Sequence, residues 1–91
     1  MDANYTVRNE SLHDITVAME DDKKKTYTIP PNGEAVFKSH VLERPEFRVF
    51  EPSAEKGEEV RMLTSKTASP LDSLAASAVN ITYVFDGARL H

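Results

Sequence analysis

The chain has no cysteine and no tryptophan, and only three of its 91 residues are glycine. Without cysteine no disulfide can staple the fold, so one apolar core must hold it together. So few glycines exclude the usual glycine-rich loops that cradle phosphate. No apolar run approaches the ~20 residues of a membrane-spanning helix, and a membrane partner is not expected. Basic residues are in deficit, with 11 Lys and Arg against 15 Asp and Glu and a formal net charge of −4. Phosphate binding rests on clustered Lys and Arg, so nucleic acid is not expected as a partner either. The opening Met1-Asp2-Ala3-Asn4-Tyr5 has no basic stretch followed by an apolar one. This predicts a cytoplasmic or virion location rather than secretion through a signal peptide.

Alternation dominates what is present. Hydrophobic residues make up 40% of the chain and charged residues 29%, values of a globular protein. Length and the lack of linkers or repeats predict one β domain over 1–91. Period-two patterning places strands over 3–8, 14–20, 26–29, 34–38, 47–51, 59–64 and 78–85. Asn9-Glu10-Ser11 reads as a polar break and 20–25 as a charged tip. Ser69-Pro70 can start at most one short helix near 70–76. The fold class expected is all-β: a small antiparallel β-sandwich or compact barrel of about seven short strands. Its core is drawn from Tyr5, Val7, Ile15, Val17, Tyr27, Ile29, Phe37, Val49, Val60, Met62, Val79, Ile81, Tyr83 and Phe85.

Pro30-Pro31-Asn32-Gly33 is the clearest local signal. Pro31 presets φ for the second turn position, and Asn32 and Gly33 tolerate positive φ. Residues 34–38 are expected to return antiparallel to 25–30. The stretch Lys25-Thr26-Tyr27-Thr28-Ile29-Pro30-Pro31-Asn32-Gly33-Glu34-Ala35-Val36-Phe37 resembles a hairpin of small stand-alone β proteins in phage and bacterial assemblies, capsid decoration or cement proteins among them. The resemblance covers 13 residues and implies a virion or assembly role. It carries no functional residue across.

No constellation for chemistry emerges. His13, His40 and His91 lack the short spacing of a zinc pair. No serine lies in a Gly-x-Ser-x-Gly elbow. Glu20-Asp21-Asp22 lacks the spacing and glycine of a calcium loop, and Lys23-Lys24-Lys25 offset its charge. Neither catalytic residues nor a cofactor or metal is expected, and no small-molecule ligand. The aromatics alternate with polar residues and read as core before ligand platform.

A short chain without such chemistry acts through its surface, so a protein partner or self-association is expected. Three regions are candidates. Phe47-Arg48-Val49-Phe50 carries apolar bulk on both faces, so Phe47 or Phe50 turns outward. The long 65–76 segment is the second, and within it Leu71 and Leu74 share a face if the 70–76 helix forms. Ser73 to Phe85 carries no charge and ends in the strongest strand, with Val84 on its outer face. Such a strand is an aggregation hazard at an open edge. It must lie in the centre of its sheet or be covered by another subunit. The alternatives are a regulatory or inhibitory protein acting through the charged loops 20–25 or 51–58, and a ligand- or carbohydrate-binding module with an exposed aromatic patch.

Overall fold

A computed structural model of the chain describes residues 2–20, 25–40, 44–52, 61–68 and 80–91. The described residues are all-β. The strands are β1 (Asp2–Asn9), β2 (Ile15–Glu20), β3 (Lys25–Ile29), β4 (Glu34–His40), β5 (Glu46–Phe50), β6 (Met62–Thr67) and β7 (Asn80–Phe85). They form a small sandwich of two sheets, one of three strands in the order β4-β1-β7 and one of four in the order β3-β2-β5-β6. Every described pair is antiparallel except β1 with β7, which run parallel. The small β-sandwich expected is the one observed, with this parallel pair as the one exception among the described pairs to its antiparallel pairing. The exception arises because the first and last strands lie side by side, with the rest of the domain as their connection. The residues expected to form a helix near 70–76 lie outside those described.

The core follows from the alternation. Ala3, Tyr5 and Val7 on β1, Ile81, Tyr83 and Phe85 on β7, and Phe37 on β4 point inward from one sheet; Ile15, Val17, Met19, Ile29, Phe47 and Val49 meet them from the other. Phe47 sits at the centre. Its ring centroid lies 5.3 Å from Tyr5, 5.5 Å from Phe37 and 5.6 Å from Tyr83, all at tilted or edge-on angles. Such angles set ring edges against ring faces, the favourable arrangement for aromatic quadrupoles.

Two expected core residues are exposed. Tyr27 faces inward, but β3 is an edge strand, so its ring is covered on one side only, by the edge-on contact with Phe37 at 5.0 Å. Met62 is displaced by a bulge. Val49 lies opposite Thr64 while Phe50 lies opposite Met62, leaving Leu63 as the extra residue. Leu63 therefore turns toward the core, and Met62 joins Phe50 on the outer face. The strand expected over 59–64 accordingly runs over Met62–Thr67. Val60 and Val79 lie outside the described residues.

The expected hairpin of 25–38 is instead an arch between sheets. β3 pairs with β2, and β4 pairs with β1. Gly33 N–H donates to Pro30 O at 2.9 Å to close the turn, with Asn32 at φ 63°. A Cβ on Gly33 would lie 2.9 Å from the Pro30 ring, so the position requires glycine. The turn is held by β1: Asn9 N–H donates to Gly33 O at 2.9 Å, and Asn32 N–H donates to Asn9 O at 2.7 Å. These bonds start the β1–β4 ladder and draw β4 away from β3.

Asn9, expected in a polar break, is the last residue of β1 and fully buried. Its side-chain NH₂ donates to His13 O at 2.8 Å and Ile29 O at 3.0 Å. Its side-chain oxygen accepts from Ser11 N–H at 2.9 Å and Ser11 Oγ at 2.6 Å. One amide thus ties the 10–14 loop to the end of β3.

Two stability predictions result. Phe47→Ala is expected to cost about 3–5 kcal/mol, a large share of the ~5–15 kcal/mol of a small domain. Asn9→Ala removes the buried amide's bonds to His13 O, Ile29 O and Ser11, and should cost about 1–3 kcal/mol. Urea unfolding followed by circular dichroism measures both; a midpoint unchanged by Asn9→Ala would show that the amide does not organise this end of the sandwich.

Candidate interaction surface

The structure distributes the expected interface residues unequally. Phe47 has no surface for a partner, because its ring is enclosed by those of Tyr5, Phe37 and Tyr83. Phe50 is the outward member of its pair, half-buried beside exposed Met62. Val84 lies half-buried on the outer face of β7. Leu71 and Leu74 lie outside the described residues. Arg48, between Phe47 and Phe50, is paired on the outer face with Glu46 and, at 3.2 Å, with Glu20. These ion pairs are partly exposed, so solvent screening leaves them little weight in stability.

β7 lies at the edge of its sheet rather than the centre, with β1 as its only strand neighbour among the described residues. Its backbone directions follow from its bonds. Phe85 O accepts from Glu10 N–H at 2.9 Å, on the β1 side. Val84 N–H donates to His91 O at 3.1 Å, and Val84 O accepts from His91 N–H at 2.8 Å, on the opposite side. Because peptide direction alternates along a strand, Asn80 and Thr82 also turn their backbone groups outward. Among the described residues nothing pairs with the outward groups of Thr82. Asn80 is braced by its side-chain oxygen, which accepts from Asn4 Nδ2 at 3.1 Å.

The tail shields the other end of this edge. Asp86-Gly87 turns the chain, with Gly87 at φ 106°, and Leu90 folds back into the core to bridge with Phe85. Asp86 Oδ1 accepts from Arg89 N–H at 2.8 Å and Ala88 N–H at 2.9 Å, while Oδ2 lies 2.5 Å from His91 Nε2. The Arg89 N–H, then the His91 ring, then the Ala88 N–H hold the Asp86 carboxyl well below the usual carboxylate range. The end of the chain is therefore a docked hairpin rather than a loose tail. Two signals in the sequence point to it: Asp-Gly is a hairpin dipeptide, and Leu90 beyond it has the apolar side chain to complete one.

A cleft of about 670 Å³ opens beside the turn, lined in part by Glu10, Leu12, His13, Asp14, Glu51 and Asp86. Leu12 is 88% exposed there. Among the described residues no three His, Asp or Glu side chains are placed to hold a metal ion. The described aromatics, apart from Tyr27 and Phe50, are buried, so they form no exposed stacking platform.

The depressed Asp86 group sets a pH dependence. Its contribution is complete above the ordinary carboxylate value and is lost as pH falls below about 4 toward the folded-state value. NMR should show the Leu90 methyl resonances moving toward random-coil positions over that range, and already shifted that way at neutral pH in Asp86→Asn. Leu90 shifts indifferent to both changes would rule out a role for Asp86 in docking the tail. No protein-family model, curated protein or solved structure matches this chain, so the surface is interpreted from its own geometry.

Proposed function

We propose that this chain is a non-enzymatic structural or interaction protein that works within a larger protein assembly. The observation that carries the reading is the position of β7. The segment from Ser73 to Phe85 contains no charge, yet β7 is an edge strand whose outer side, among the described residues, is covered by the tail only around Val84. Natural edge strands are usually blunted by charge, proline or covering chain. An uncharged edge of this kind suits the addition of a partner strand, in which backbone hydrogen bonds supply affinity and outward side chains supply selectivity. The most concrete form of the reading is a decoration or cement subunit on a virion, where small β domains act through surface contacts alone.

The test is Thr82→Pro, with Thr82→Val as control. Proline removes an N–H that no described residue uses, a substitution edge strands tolerate. Pull-down from the native source followed by mass spectrometry, with light scattering of the purified complex, should recover a protein partner for the wild type and for Thr82→Val. Thr82→Pro should bind that partner at least about tenfold more weakly, equivalent to ~1.4 kcal/mol, with an unchanged circular dichroism spectrum. A wild-type chain that recovers no protein partner would sink the proposal.

A further inference from the structure

The opposite edge of the three-stranded sheet has a property that β7 lacks: its sequence is complementary to itself. β4 is terminal in the order β4-β1-β7. Its register with β1 pairs Val7 with Ala35 and Tyr5 with Phe37, and the adjoining Asn9–Gly33 bond shows that the odd residues of β4 are those bonded to β1. The backbone groups of Glu34, Val36 and Lys38 therefore point away from the sheet. Among the described residues nothing pairs with them. All three side chains are exposed on the outer face, Val36 at 51%.

Glu34 and Lys38 stand two residues either side of Val36 and carry opposite charge. If β4 meets β4 of a second copy antiparallel about an axis through Val36, each Glu34 falls opposite a Lys38 and the two valines face each other. All three pairs are then of the hydrogen-bonded kind, because all three residues present outward N–H and C=O groups. Two like charges at these positions would block pairing, as edge charges commonly do. Opposite charges placed symmetrically favour it.

We infer that the chain forms a two-fold symmetric dimer through β4, joining two three-stranded sheets into one six-stranded sheet in the order β7-β1-β4-β4-β1-β7. The contact is isologous, as a two-fold axis requires. It leaves both β7 edges at the outer ends, so the dimer forms whether or not a further partner binds there, and the Thr82→Pro chain dimerises like the wild type.

The symmetry supplies the test. Sedimentation equilibrium of the full chain should show a reversible dimer. K38E places acids opposite acids, and E34K places cations opposite cations. Each alone should weaken dimerisation by about tenfold or more while leaving the circular dichroism spectrum unchanged. The double variant E34K/K38E restores both pairs and should dimerise like the wild type. Mixing the two single variants should give a heterodimer, because each then presents the charges the other needs. A monomeric wild type at every concentration overturns the inference, as does a dimer indifferent to both single variants. If a single variant fails to fold, the double variant decides: dimerisation matching the wild type supports the β4 seam, and a folded monomer refutes it.

Discussion

The packing of Phe47 among Tyr5, Phe37 and Tyr83 is the contact on which the sandwich depends. The three surrounding rings come from the three strands of one sheet, and Phe47 comes from an inner strand of the other. A domain this small has one core and no disulfide to compensate for a defect in it. The ring set therefore fixes which strands face one another. Around it the aliphatic residues fill in by simple alternation, and their burial needs no special geometry.

A polar constraint operates at one end of this core. Asn9 is buried with all of its amide's polar atoms bonded, donating to carbonyls of the 10–14 loop and the close of β3 and accepting from Ser11. The same residue's backbone seizes the Pro30–Gly33 turn. Sheet choice for β4 is thus tied to Asn9, far earlier in the chain than β4 (Glu34–His40) itself. The apolar pattern of β4 itself is equally compatible with a hairpin.

This division explains how much is legible in the sequence. Strand type, approximate strand positions and most of the inward face are readable, because a period of two is a local property. Which strand pairs with which is not. Residues 25–38 have the appearance of a hairpin, and long-range contacts decide otherwise: the bonds to Asn9, the ladder with β1 and the packing of Phe37 on Phe47. Tyr27 and Met62 depart from the alternation for related reasons. Tyr27 points inward from an edge strand and its large ring is covered on one side only, and the bulge at Val49–Phe50 reverses the facing of Met62 and Leu63. For the surface, the absence of charge in β7 marks it as a strand needing cover, but edge status is a property of topology. Phe47 and Phe50 face opposite ways, as their odd and even positions require. Assigning one of them to the core requires the other sheet. The mirror relation of Glu34 and Lys38 about Val36 is written in the sequence, yet it has no meaning until β4 is known to be an edge.

The parallel pairing of β1 with β7 has a kinetic side. Asn4 and Asn80, neighbours across that pair, are 76 residues apart in sequence. The entropy of closing so long a loop must be met before the contact returns any energy. Topologies dominated by such distant pairings fold slowly, on the order of milliseconds to seconds. β1 can find β4 much sooner, since their connection is shorter. Until β7 arrives, Tyr5 and Val7 are flanked on one side only, and the uncharged last strand remains without its place in the sheet. The interval before the two ends of the fold meet is therefore when the chain is most exposed to wrong pairing, and the polar residues Asn4, Thr6 and Arg8 on the waiting strand keep it soluble through that interval.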